Sequence, residues 1–265
     1  MIAQGTVIVT GTSGGIGAAI VSQLRQSGRR VFPTMRRPNM EQHGPDAIAM
    51  DVPSDASVEA AVATVLERTG RIDAVVNNAG VDLIGAVEET TTAEALSLFQ
   101  TNFFGVHRLN RAVIPTMRSQ GHGRIVTIGS IVGFLPEPFQ SFYCSAKYAL
   151  EGYIESLDYE VRPFGIRALL IQPGFIRTNL SANRASAASH VEVYASSRSL
   201  VLNSTARDIA KGTAPEAVAA AVEKVLVHRN PALRTRVGGD AHQLYLLRHL
   251  LPPGLFRMGL RRRLR

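Results

Sequence analysis

The sequence predicts an α/β protein, a doubly wound parallel sheet of about seven strands with helices on both faces. Three observations carry this. Short runs rich in Val and Ile alternate with longer helical patterns along the whole chain. The runs are nearly continuous in hydrophobicity, as strands buried on both faces are. A glycine-rich turn joins the first run to the first helical pattern.

The strand-like runs are Thr6–Thr10, Val31–Thr34, Ile48–Met50, Ala74–Asn77, Ile125–Ile128 and Ile166–Ile171, with a seventh at Thr235–Gly238. Helical patterns lie between them, near 16–27, 55–69, 92–119, 142–161 and 215–228. This alternation requires right-handed crossovers between parallel strands. No repeat or low-complexity linker divides the chain, and 265 residues can share one core. Residues 1–265 therefore read as one dinucleotide-binding and catalytic domain. The stretch 179–212 is Ser- and Ala-rich and weakly patterned, which predicts a substrate lid.

Apolar residues make up 45% of the chain and charged residues 19%, which excludes a disordered protein. The net charge of +8 could suggest a polyanionic partner. However, six of those charges come from Arg248, Arg257, Arg261, Arg262, Arg263 and Arg265, so the body is nearly neutral. No nucleic-acid partner is expected. Cys144 is the sole cysteine, so no intrachain disulfide can form. The chain enters its first strand almost at once, without the basic and apolar regions of a signal peptide. No apolar run of about 18 residues could span a bilayer. These features predict a cytoplasmic protein.

Thr10-Gly11-Thr12-Ser13-Gly14-Gly15-Ile16-Gly17 forms the first turn. Glycines let the backbone bend sharply and let its N–H groups approach a pyrophosphate at a helix N-terminus. The turn marks the sheet as Rossmann-type. Its spacing reads TGxxxGxG, but through Gly14 also TGxxGxxG, so the turn alone leaves two related enzyme groups open. An acidic residue at the end of the second strand would grip a ribose 2′-hydroxyl. Here Met35 is followed by Arg36 and Arg37, whose guanidiniums suit a 2′-phosphate. NADP(H) is favoured over NAD(H).

Tyr143 and Lys147 are four residues apart in a helical pattern, hence on one helix face. A neighbouring ammonium favours the phenolate and brings a phenol's pKa of about 10 toward working pH. Ser130 follows a strand at the carboxyl edge of the sheet, where functional side chains and turn caps both occur. Asn102 sits in a helical pattern that its residue type disfavours.

With these residues the chain resembles the short-chain dehydrogenase/reductase family, in its single-domain branch, over about residues 5–180. The resemblance rests on the glycine turn, Asp51-Val52, Asn77-Asn78-Ala79-Gly80, Asn102, Ser130, Tyr143-x-x-x-Lys147 and Pro173-Gly174-x-x-x-Thr178. It implies hydride transfer between a nicotinamide cofactor and a carbinol carbon, with Tyr143 moving the proton and Ser130 holding the substrate oxygen. It also implies that Asn102 breaks its helix and holds a water in a relay to Lys147. For the cofactor it implies contacts from Gly11, Thr12, Ser13, Gly15, Ile16 and Gly17, and from Asp51 and Val52 at the adenine. Asn78, Ala79 and Gly80 would lie beneath the adenosine ribose. Tyr143, Lys147, Pro173, Gly174, Ile176 and Thr178 would lie toward the nicotinamide. No metal is implied. A homodimer or homotetramer is expected through the helices near 92–119 and 142–161.

Phe134, Leu135, Phe139, Phe142 and Phe175 are expected to give the substrate pocket an apolar lining around Ser130. The string from Tyr143 to Gly152, with Glu155-Ser156-Leu157, resembles the 17β-hydroxysteroid and retinol dehydrogenase-like subgroup, implying a bulky lipophilic ketone or alcohol. In the tail, 240–265, leucines alternate with arginines, and Pro252-Pro253 interrupts any single helix. Such a tail could cap the pocket, pack on a partner subunit or lie on an anionic membrane surface. Two rival readings are a cofactor-binding sensor without turnover and a sugar-nucleotide epimerase or dehydratase. Four intact site residues weigh against the first, and the lack of a sizeable C-terminal domain weighs against the second.

Overall fold

The computed structural model describes residues 5–178 and 185–261. A seven-stranded sheet organises them, every neighbouring pair parallel. The strands are β1 (Thr6–Thr10), β2 (Arg30–Met35), β3 (Ile48–Ala49), β4 (Ala74–Asn77), β6 (Gly123–Ile128), β7 (Ile166–Pro173) and β9 (Arg234–Val237). Two further two-residue strands, β5 (Leu83–Ile84) and β8 (Ala185–Ser186), pair separately. The order across the main sheet is β3-β2-β1-β4-β6-β7-β9. Connections run outward in opposite senses on either side of the β1–β4 boundary, which opens a crevice at the carboxyl ends of those strands.

The period-2 alternation of the strands separates two cores. Val7 and Val9 face α1 (Gly15–Gln26) and α8 (Pro215–Val227), packing with Ile20, Leu24, Val218 and Val222. Ile8, between them, faces the opposite layer of α3 (Asp55–Thr69), α5 (Gly105–Gln120) and α6 (Ser141–Val161), with Val62, Leu109 and Ile154. Truncating a fully buried side chain such as Ile154 to Ala would cost about 2–5 kcal/mol. A short helix, α2 (Met40–His43), follows β2.

Each of the seven predicted strands is present, shifted by at most two residues at either end. The predicted helix 92–119 is not continuous. It divides into α4 (Thr92–Phe99), a π-helical turn at Gln100–Phe104, and α5. An extra residue in the turn leaves the apolar stripe intact on both sides, so the break is invisible to hydrophobic periodicity. Of the stretch expected to form a lid, 179–184 lies outside the described residues. The remainder contains β8, a short 3₁₀ turn and α7 (Ala195–Ala210). The tail forms α9 (Gly239–Leu250) and α10 (Pro253–Arg261). Pro252 interrupts them and Pro253 opens α10, as the prolines predict. Residues 262–265 lie outside the described residues. Among those described, no helix is long and apolar enough to cross a membrane.

Candidate active site

The glycine turn is built by exclusion of Cβ atoms. Gly11 has φ +68°, and a Cβ there would stand 2.7 Å from the Ala79 Cα. At Gly17 a Cβ would overlap the Gly11 carbonyl oxygen and crowd the Asn78 amide. Gly14, by contrast, is extended and has open space around it. The steric demand therefore falls on Gly11 and Gly17 and leaves Gly14 out, which selects the TGxxxGxG spacing.

This packing brings the loop after β4 against the loop after β1. The Thr10 hydroxyl accepts from the N–H groups of Asn78 and Ala79, each at 3.0 Å. Asn78 Nδ2 donates to the carbonyls of Thr10 and Gly11, at 3.0 and 2.9 Å. The N-terminus of α1 carries no capping side chain and no acidic residue in its first turn. Its N–H groups and positive dipole end remain directed at the crevice, a fitting cradle for a pyrophosphate.

The crevice deepens into a cleft of about 1650 Å³ at the carboxyl edge of the sheet. Ser130, half-buried, stands just beyond β6, and its Oγ accepts from the Val132 N–H at 3.3 Å. It thus caps a 3₁₀ turn and also lines the cleft. Tyr143 and Lys147 lie one turn apart on α6, and both face the cleft. Lys147 Nζ lies 5.7 Å from the Tyr143 ring centroid and donates to the Ile128 carbonyl at 3.0 Å. Burial brings the Lys147 pKa down to about 8, against a smaller opposing pull from the Asp82 carboxylate.

Asn102 occupies the π-helical turn and is buried behind the cleft wall. Its side-chain amide grips the Val81 backbone from both sides, accepting from the N–H and donating to the carbonyl at 2.8 Å each. The next residue, Asp82, accepts from Gln140 Nε2 through both carboxylate oxygens, at 2.8 and 2.9 Å. Gln140 is the residue immediately before α6. One short loop therefore links the π turn to the helix carrying Tyr143 and Lys147.

Of the other residues singled out in the sequence, Gly11, Ser13, Gly15, Ile16, Gly17, Arg36, Asp51, Val52, Asn78, Ala79 and Gly80 line the cleft. So do Pro173, Gly174, Ile176 and Thr178. Thr12 does not; it is buried, its hydroxyl donating to the Thr34 carbonyl. Arg37 is exposed beyond the lining. Leu135 and Phe175 line the cleft, but Phe134, Phe139 and Phe142 do not. Phe134 turns its edge to Tyr245 on α9, and Phe139 packs against Tyr194. Nearness to Tyr143 in sequence did not set the direction of these rings.

Sequence reasoning missed Asp82, Gln140 and Asp240. The last accepts from the Phe175 N–H at 2.6 Å, and a Cβ on Gly174 would strike its carboxylate. Asp240 thereby fixes the loop after β7. The tail was also left undecided. In the structure, Ala241 and Phe256 pack with Ile131 and Leu135, while Leu244, Leu247, Leu251 and Leu255 line the cleft.

Residues 5–189 match the family model for the short chain dehydrogenases. The chain is 35% identical to 3-ketodihydrosphingosine reductase of Bacteroides thetaiotaomicron, covering 96% of each chain. It is 32% identical to retinol dehydrogenase 8 of Bos taurus over 94% of this chain and 86% of that one. A solved short-chain dehydrogenase from Streptomyces avermitilis superposes with a TM-score of 0.82 at 36% identity, covering 97% of this chain and 96% of the other.

Proposed function

The chain belongs to the short-chain dehydrogenase family of oxidoreductases, and on that premise we propose that it interconverts a bulky lipophilic ketone and its secondary alcohol using NADP(H). The observation that carries this reading is the convergence of Ser130, Tyr143 and Lys147 on one cleft that also contains the glycine turn.

In this reading the turn residues Gly11, Ser13, Gly15, Ile16 and Gly17, with the N-terminus of α1, hold the dinucleotide phosphates. Arg36 and Arg37 take the 2′-phosphate; both are exposed at the end of β2, and Arg36 lies on the cleft itself. Asp51, Val52 and Asn78 to Gly80 border the adenosine end, and Lys147, Pro173, Gly174, Ile176 and Thr178 the other. When bound, the nicotinamide supplies or accepts the hydride.

The remaining chemistry belongs to the chain. Ser130 and Tyr143 hydrogen-bond the substrate oxygen and orient it. The Tyr143 hydroxyl gives its proton to the developing alkoxide in reduction and takes it back in oxidation. Protonated Lys147 stabilises the phenolate that remains. A pKa of about 8 lets that ammonium exchange its proton with water near neutral pH. Asn102, through Val81, shapes the wall beside this pair.

The lipophilic substrate is supported by the aliphatic wall contributed by α9 and α10. The names of two relatives, a 3-ketodihydrosphingosine reductase and a retinol dehydrogenase, agree with it. The lid reading of 179–212 is supported by the described part of that segment, where Thr205, Asp208 and Ile209 of α7 border the cleft. Exposed Leu96, Phe104 and Tyr159 on and between α4 and α6 support a homo-oligomer through those helices, tested by the molar mass in solution.

The function is tested by following absorbance at 340 nm with NADPH and NADH over a panel of long-chain and cyclic ketones. NADPH-dependent turnover strongest for apolar ketones is expected. Silence across the panel with tight NADPH binding would support the sensor instead.

A further inference from the structure

The tail presents two faces. Ala241 and Phe256 are buried against Ile131 and Leu135 and anchor α9 and α10 to the body. The opposite face has no such cover. Leu250 is 76% exposed, and Leu246 and Met258 are each about half exposed, 53% and 51%. Three of their neighbours, Leu247, Leu251 and Leu255, are exposed and at the same time line the cleft. The uncovered apolar face is therefore continuous with the mouth of the site.

Its charge is one-sided. From Ala241 to Arg265 the sequence contains six arginines and two histidines and neither Asp nor Glu. Arg248 leans over the Phe256 ring, 5.1 Å from its centroid, and Arg257 is exposed beside Met258. A symmetric contact between two copies through this face would set these arginines against each other. A nucleic acid would answer the charge but leave the leucines in water. An anionic bilayer answers both, because its headgroups attract arginine while its acyl boundary accepts leucine and methionine.

We propose that α9 and α10 form an interfacial docking element that seats the mouth of the cleft on an anionic lipid surface. A lipophilic ketone dissolved in that surface then reaches Ser130 and Tyr143 along Leu255, Leu251 and Leu247 without crossing water. This extends the lipophilic-substrate reading, on which the purpose of docking rests; the docking itself does not depend on turnover.

The test is flotation of the full-length chain with vesicles of phosphatidylcholine alone and of phosphatidylcholine with about 30 mol% phosphatidylserine. Binding to the anionic vesicles, weakened by salt and about fivefold by Arg257→Ala, is the expected result. Leu246→Glu/Leu250→Glu should abolish it and leave turnover of a water-soluble ketone unchanged, since neither side chain lines the cleft. Failure to bind either vesicle, equal binding to both, or binding that persists in the double variant would overturn the proposal. So would a lipid-free dimer of the wild type that the double variant dissociates, because the face would then belong to a second copy. Vesicle binding by a chain that turns over no ketone would sink the functional reading alone.

Discussion

Lys147→Met is expected to stabilise the folded chain at neutral pH. Burial brings the Lys147 pKa from 10.5 to about 8. At about 1.4 kcal/mol per pKa unit, holding the charged ammonium in the fold costs about 3 kcal/mol. Methionine fills a similar volume without charge. Against this, the Ile128 carbonyl loses the hydrogen bond from Nζ, worth about 1–2 kcal/mol. The net gain is about 1–2 kcal/mol, a rise in Tm of about 3–6 °C for a chain of this size. The pH dependence has a definite sign. Below about pH 8 both states carry the charged lysine, and the folded state bears the full penalty. Between about 8 and 10.5 the folded state has released a proton that the unfolded state still holds, so the wild type gains stability relative to the variant. Above that window the penalty is gone and the missing hydrogen bond makes the variant the weaker protein. Thermal melts of both proteins from about pH 7 to 11 would reveal the crossing. A variant less stable than wild type at neutral pH, or a gap independent of pH, would mean that the buried Lys147 charge carries no such penalty.

Gly17→Ala should destabilise the chain by about 1–3 kcal/mol and weaken dinucleotide binding, because the new methyl overlaps the Gly11 carbonyl; Gly14→Ala, with open space, should leave stability unchanged in chemical denaturation. Arg36→Ala/Arg37→Ala should raise the KM for NADPH about ten- to hundredfold and leave that for NADH nearly constant, as loss of charge-assisted bonds to one phosphate requires. Gln140→Leu should remove the tie between Asp82 and the start of α6, lowering kcat several-fold with little change in cofactor affinity, as measured by NADPH fluorescence titration.

Much of the fold was legible because the parallel strands are short, apolar and Val/Ile-rich, and because, except between the second and third, each is separated from the next by a helix-length pattern. Position along the sheet edge was also legible: a serine just past β6 must lie near residues just past β1 and β4. Direction was not. Phe134 and Phe139 are adjacent to the site in sequence, yet their rings turn to Tyr245 and Tyr194, contacts made across more than fifty residues. The Asp82–Gln140 tie likewise joins positions 58 apart that carry no mutual pattern. From its residue type alone Asn102 was visible only as a poor helix former; the family resemblance added that it breaks its helix, as it does in the π turn. The π turn that exploits this leaves no trace in the apolar stripe. Helix α7 was missed because its Ser- and Ala-rich sequence buries only Val201 and Thr205. The tail's leucines admitted three destinations, and only packing against Ile131 and Leu135 assigned its inner face to the body.

The most direct test of the central claim compares wild type with Tyr143→Phe in ketone-dependent oxidation of NADPH, with NADPH binding measured alongside. Measurable turnover by the wild type, loss of at least about a thousandfold in the variant, and unchanged cofactor binding are expected. Turnover that survives the loss of the Tyr143 hydroxyl would contradict the claim.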